Sequence, residues 1–346
     1  MARKGSKWLY LVAALAAVLS FAGGTRYGPA LVEWLRGDAN GGDQPGEQPG
    51  DLPLLPGVPD NEETRYLAEM VRQAAVEHRA EPVNAVYNSS YNIVLPGVNG
   101  YEMDQEATLA RLAAAKPGEA VVPVWRQLKA AVTADHFPTA VIERGFPERR
   151  QVTLMINVAW GNEYLPEMLD ILDQFGVKTT FFPVGRWAER YPELLREISE
   201  RGHELGNHGY SDAELFPDLD YDAAADSIRR TNEIVAGISG QTPRWFTPHQ
   251  GEYNQAALEA AADLGMRLLL WTLDTVDWQR PGEEVMARRI LDHLVPGAII
   301  LMHPTEQSAG FLRMVLPEIE QRGYAVVTMS ELLSPAADPP EIYLER

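Results

Sequence analysis

Beyond Arg150 the chain settles into a regular exchange between short apolar runs and longer stretches with helical periodicity. The apolar runs are Val152–Val158, Thr179–Val184, Glu204–Asn207, Arg244–Thr247, Arg267–Leu273, Ala298–Met302 and Ala325–Thr328. Between them lie amphipathic patterns at Pro166–Phe175, Pro192–Arg201, Asp222–Ala236, Gln255–Leu264, Glu283–Leu294 and Leu312–Gln321. Gly176, Gly202, Gly265 and Gly323 stand just past four of these stretches, where a left-handed residue ends a helix without strain. Strands separated by helices of this length pair in parallel. The pattern therefore predicts an α/β fold of about seven parallel strands, as a barrel or an open doubly wound sheet.

Upstream of Arg150 the rhythm is weaker. Two helical stretches, near Glu63–His78 and Gln105–Ala115, flank the short run Asn92–Gly100, which predicts a small α+β domain over 60–140. From Gly37 to Pro59 the chain is Gly, Pro, Asp, Glu, Gln and Asn with little else. Such a composition cannot bury a core, so 37–59 is expected to be a flexible linker. At the start, Arg3, Lys4 and Lys7 precede an apolar stretch from Trp8 to Ala22. A basic flank before an apolar run is an export signal that leaves the following chain outside. The run is shorter than the roughly 20 residues of a spanning helix, and Ser20-Phe21-Ala22 ends in small residues of a cleavable kind. Residues 1–26 thus read as a membrane anchor or a cleaved signal peptide, with the protein held on the outer side of the cell membrane or secreted. The larger domain is expected at 150–335, and 336–346 as a tail.

Composition narrows the partners. Lys plus Arg number 30 against 49 Asp plus Glu, a net charge of −19. That surface repels nucleic-acid phosphates and anionic lipid headgroups, while a neutral sugar polymer is not excluded. Oligomeric state is left open. Cysteine is absent, so any metal must be held by nitrogen and oxygen ligands.

Several predicted strands end on a polar or ionisable residue: Asn157, His208, Thr247, Asp274 and His303. In parallel α/β folds the carboxyl edge is where sites are built. The order and spacing of these residues, with Asp274-Thr275-Val276-Asp277-Trp278 and Leu301-Met302-His303, resemble the NodB-homology domain of polysaccharide deacetylases, carbohydrate esterase family 4. The string Ile156-Asn157-Val158-Ala159-Trp160-Gly161-Asn162-Glu163-Tyr164 resembles the first motif of a sporulation-associated, deacetylase-like branch. The resemblance implies a distorted (β/α) barrel preceded by the small domain. It also implies hydrolysis of N-acetyl groups on cell-wall glycan, peptidoglycan or chitin-like, with a divalent metal such as zinc. Upstream, Leu95-Pro96-Gly97-Val98-Asn99-Gly100 is similar to small peptidoglycan-binding repeats, or is an ordinary Asn-Gly turn in a spacer.

The family's chemistry assigns a role to each motif. A metal polarises the acetamide carbonyl and a bound water, an aspartate takes the water's proton, and a histidine protonates the departing amine. The resemblance aligns Asn157 with the base and Val158 with a metal ligand; neither side chain suits its role. The His-x-x-x-His metal pair stands as His208 and Asp212, with Glu163 or His249 as candidates to complete the set. The third motif appears as Thr247-Pro248-His249-Gln250-Gly251, with threonine where the family has arginine. Its loop would still present the Gln250 backbone to substrate. Asp277 is expected to orient His303 as general acid, with Trp278 walling the acetyl pocket and Trp160 beside it. The half of the site that handles the leaving group is kept. The half that handles water is not. A catalytically inactive glycan-binding or scaffolding protein is the alternative that these substitutions imply.

Overall fold

The computed structural model describes residues 61–346; the expected leader, the 37–59 linker and the start of the small domain at 60 lie outside the described residues. Among those described, no helix is long and apolar enough to cross a membrane.

The barrel strands are β1 (Gln151–Val158), β2 (Thr180–Pro183), β3 (Glu204–Leu205), β4 (Trp245–Phe246), β5 (Arg267–Leu268), β6 (Leu273–Asp274), β7 (Ile299–Met302) and β8 (Ala325–Val326). The helices are α1 (Leu165–Gln174), α2 (Gly185–Arg190), α3 (Pro192–Glu200), α4 (Tyr221–Ser239), α5 (Gln255–Asp263), α6 (Glu283–Leu291), α7 (Ser308–Gln321) and α8 (Met329–Leu332). A parallel sheet runs β6-β7-β1-β2-β3, with β8 paired to the start of β1 and β4 paired to β5. A single parallel bridge, Asn207 to Phe246, carries the strand order from β3 to β4.

Strand alternation sorts the two layers of the core. Leu154, Ile156 and Val158 of β1 are fully buried beneath the helices, in one cluster with Leu169, Leu172, Phe311 and Leu312. Met155 faces the other way, into a cluster with Phe182, Leu269, Ile299 and Leu301. Asn157 shares the Met155 face and so points toward the barrel interior, while Val158 belongs to the helix layer.

The apolar run Arg267–Leu273 forms not one strand but two, β5 and β6. The residues just before the barrel wedge between them. Ile142 bridges Leu269 in parallel, Leu270 N donates to Ile142 O at 2.9 Å, and Gly145 N donates to Gly297 O at 2.8 Å. The backbone groups that β5 and β6 do not share are satisfied by this segment, which closes the seam.

The small domain is built on capped helices and short antiparallel strands. Asn61 caps the helix Glu62–Glu77 through Thr64 N, and Asp104 caps Gln105–Ala114 through Ala107 N. Strand Gly100–Met103 pairs antiparallel with Trp125–Leu128. Gly100 is packed so closely that a Cβ there would lie 2.1 Å from Ala80 O, and Asn99 Oδ1 accepts from Ala130 N at 3.0 Å. The Asn-Gly pair thus serves the domain's own packing. The last residues, set apart as a tail by the sequence, return to this domain. Leu344 pairs with Val121 and joins the cluster of Leu67, Val71, Met103, Leu109 and Leu112. The Arg346 guanidinium donates to Ala113 O at 2.7 Å and to Glu63 at 3.1 Å.

Leu344→Ala is therefore expected to destabilise the protein by about 2–4 kcal/mol, the usual cost of truncating a buried leucine. Urea denaturation checks this; an unchanged midpoint would remove the C-terminal strand from the account of the core.

Candidate functional site

The best-organised part of the site is a carboxylate–imidazole couple. β7 ends at Met302 and delivers His303; the turn after β6 delivers Asp277. Asp277 is fully buried. Its Oδ1 lies 2.8 Å from His303 Nδ1, and its Oδ2 accepts from His303 N at 2.5 Å. The carboxylate thereby places the ring proton on Nδ1 and leaves Nε2 as the free functional atom. The turn that presents Asp277 is strained: Val276, a β-branched residue, sits at φ 55°, with its N–H bonded to Asp274 Oδ1 at 2.7 Å. Such a backbone costs on the order of 1–3 kcal/mol and persists only where surroundings enforce it. Here Thr275, bonded to Leu301 O at 2.9 Å, pins the turn to the neighbouring strand. Burial pushes the Asp274 carboxyl above its ordinary range.

The loop after β1 lies over this couple. The Trp160 ring stacks on the His303 ring with centroids 5.8 Å apart and planes 8° apart. Gly161, at φ 78°, lies so close to Pro304 that a Cβ would be 1.9 Å from its carbonyl oxygen; glycine is needed for the loop to press onto the chain after His303. Asn162 Oδ1 accepts from Trp187 Nε1 at 2.5 Å and holds the loop's far side. Together these parts enclose a pocket of about 260 Å³, lined by Trp160, Glu163, Asp277, Trp278, Arg280 and Glu306 among others.

The other half of the site lies along the ends of β1, β3 and β4. Register pairs Met302 with Ile156, which sets His303 beside Asn157 on adjacent strands. Asn157 is buried and its Oδ1 has no hydrogen-bond partner among the described residues. His208 N donates to Pro183 O at 3.1 Å, and its Nδ1 lies 2.7 Å from Thr247 O. The His208 and His249 rings meet edge to face with centroids 4.2 Å apart. Thr247 Oγ1 and His249 Nε2 are also buried and unpartnered among the described residues. Burial, and then the neighbouring His249, hold the His208 imidazole well below its ordinary range. Burial brings His249 down to about 4, opposed by Asp212. Both rings are therefore neutral near pH 7. Gln250 stands exposed at the tip of the same turn, at φ 58°.

This donor set does not fit the metal expected from the sequence. Among the described residues, no three His, Cys, Asp or Glu side chains gather where they could hold an ion. Asp212 is exposed. Glu163 lines the pocket with Trp160 and Trp278 rather than completing a set with His208. Val158, buried in the helix layer, offers no donor atom. What comes together is His208 with His249, and two imidazoles fall short of the three or more protein ligands that zinc-type sites use. The expected grouping of His208 and Asp212 with Glu163 or His249 is corrected accordingly. Arg280 and Glu306, two residues past Trp278 and three past His303, were missed because they fall just outside the motifs; only their position in the same loops pointed to them.

A parallel α/β barrel with an imidazole–carboxylate couple and a tryptophan-walled pocket at its carboxyl edge defines a carbohydrate-esterase architecture. The family model for polysaccharide deacetylase matches residues 145–269. The uncharacterised protein YlxY of Bacillus subtilis (strain 168) is 35% identical over 267 residues, 77% of this chain and 83% of its own length. The chain belongs to the polysaccharide deacetylase family, carbohydrate esterase family 4. The crystal structure of wild-type BA3943 from Bacillus anthracis, described as a pseudoenzyme of this family, is 33% identical. The match covers 79% of this chain and 96% of that one with a TM-score of 0.69. A peptidoglycan-N-acetylglucosamine deacetylase of Bacillus cereus is 31% identical over 175 residues, 49% of this chain and 63% of its own length.

The buried imidazoles set a pH dependence. His203 and His249 are held at about 4, and His208 well below its ordinary range, chiefly by burial, against an ordinary 6.5. Below 6.5 the unfolded chain binds protons that the folded one does not, so this stability is complete above 6.5 and is lost as pH falls toward 4. Glu143, raised by burial to about 7, has the opposite sign: its contribution is present below 4.5 and lost as pH rises through 7. Asp274, also raised by burial, shares that sign, and three imidazoles outweigh the two carboxyls. Stability is expected to rise between pH 4.5 and 6.5; a denaturation midpoint that is flat or falls across that range contradicts the buried, neutral imidazoles.

Proposed function

We propose that the pocket between Trp160 and Trp278 binds N-acetylated cell-wall glycan, peptidoglycan or a chitin-like polymer. The reaction it is shaped around is hydrolysis of the sugar's N-acetyl amide, a carbon–nitrogen bond outside peptides. The geometry favours recognition over turnover. The observation that carries this reading is the contrast across β1: His303 and Asp277 are assembled as a proton donor to a departing amine, while beside them stand Asn157 and, in the helix layer, Val158. An amide has no useful basicity near neutral pH. General-base assistance is worth roughly 10²–10⁴-fold, and it is missing here before any loss of metal is counted.

A residual hydrolase reading is favoured by the couple itself. His303, tautomer set by Asp277, leaves its Nε2 free to take a proton from solvent and pass it to a departing amine. Support for the recognition reading comes from BA3943, whose wild type is described as a pseudoenzyme and a mutant of which is described as having restored enzymatic activity. The basic and apolar start of the chain supports a place outside the cell membrane, anchored or secreted, and the first motif supports a part in sporulation.

Sedimentation with purified peptidoglycan, together with an acetate-release assay on peptidoglycan and chitin oligomers, tests the proposal. The protein is expected to co-sediment, Trp278→Ala to reduce binding at least about fivefold, the scale of one lost aromatic contact, and His303→Ala to leave binding within about twofold. Acetate release is expected to stay at background. Failure to co-sediment would overturn glycan recognition; acetate release abolished by His303→Ala would establish the hydrolase reading instead.

A further inference from the structure

Resting on the glycan reading of this pocket, we infer that its preferred unit is a hexosamine whose amine is free, the deacetylated and positively charged form of the sugar.

The pocket's volume, about 260 Å³, suits one sugar ring; drug-sized ligands usually take about 300–1,000 Å³. Its charges are uneven. The carboxylates of Glu163, Asp277 and Glu306 line it, against the single guanidinium of Arg280. Two of the three are already engaged: Asp277 is held by His303 at 2.8 Å, and Glu306 lies 3.8 Å from Arg280 Nε. Glu163 has no ion-pair or hydrogen-bond partner among the described residues. It stands on the rim beside two exposed tryptophans, Trp160 and Trp278, 43% and 58% accessible.

An unpaired carboxylate next to aromatic faces is a site for a cation. An ammonium gains from the carboxylate by charge-assisted hydrogen bonding and from the indole faces by cation–π attraction. A neutral acetamido group can offer the carboxylate one N–H but gains no ion pair and no cation–π attraction. Over longer range, the net charge of −19 raises the encounter rate with a polycationic glycan and lowers it with an anionic one. The same logic disfavours sugars that carry an additional carboxylate, which would meet Glu163 and Glu306. A family pocket without base or metal set thus keeps the features that hold the product of deacetylation, so the class of reaction that supplies its ligand is amide hydrolysis on the glycan by another enzyme.

Calorimetric titration of the full chain at pH 6 and low salt tests the inference, with the β-1,4-linked glucosamine tetramer and its fully N-acetylated counterpart as probes. The glucosamine tetramer is expected to bind at least about tenfold more tightly, with Glu163→Gln bringing the two within about twofold of each other. Glu163 is exposed, so this variant is expected to unfold at the wild-type temperature. Equal or tighter binding of the acetylated tetramer, or a preference that survives Glu163→Gln, overturns the inference and leaves the glycan reading standing. No binding of either tetramer overturns both.

Discussion

The site depends on one buried contact, the Asp277 carboxylate beneath the His303 ring. A carboxylate with no exposed surface is tolerable only when its oxygens are fully engaged, and here one oxygen takes the ring and the other the backbone N–H of the same residue. This requirement explains several features together. The left-handed Val276 is needed to turn Asp277 back under β7, and the bonding of Thr275 to Leu301 O holds that turn. The Trp160 loop, pressed onto Pro304 through Gly161, closes over the ring that the carboxylate has fixed. Loss of Asp277 would remove the orientation of His303 and the floor of the pocket at once.

Across β1 the requirement is relaxed. Asn157, Thr247 and His249 are buried with polar atoms that find no partner among the described residues, and no set of three metal ligands gathers around the two imidazoles there. A working hydrolase needs that edge to generate a nucleophile, and binding alone does not. The structure keeps the imidazole–carboxylate couple and has an amide, Asn157, where a base would stand.

Much of this was legible in the sequence because it rests on local patterns. Its place at the end of an apolar run put Asn157 at the carboxyl edge of β1, and the D-x-x-D-W and L-x-H strings announced the couple in advance. Two features were hidden because they are set by distant parts of the chain. The run Arg267–Leu273 is continuously apolar from Leu268 to Trp271 and gives no sign that Ile142 splits it into two strands. The nearness of Asp212 to His208 in sequence suggested a shared ion, but the chain leaves Asp212 exposed and brings His249, from the next motif, against His208 instead. The return of Leu344 to the small domain was equally invisible, since a short C-terminal strand carries almost no periodicity.

Among the described residues this barrel keeps the imidazole–carboxylate half of a deacetylase site and gathers no set of three metal ligands. The most direct measurement is the zinc content of the purified full chain after equilibration with excess zinc and removal of unbound ion. Well under one ion per chain is expected, with no change on replacing His208 by alanine. One tightly held zinc per chain, lost in that variant, would contradict this reading.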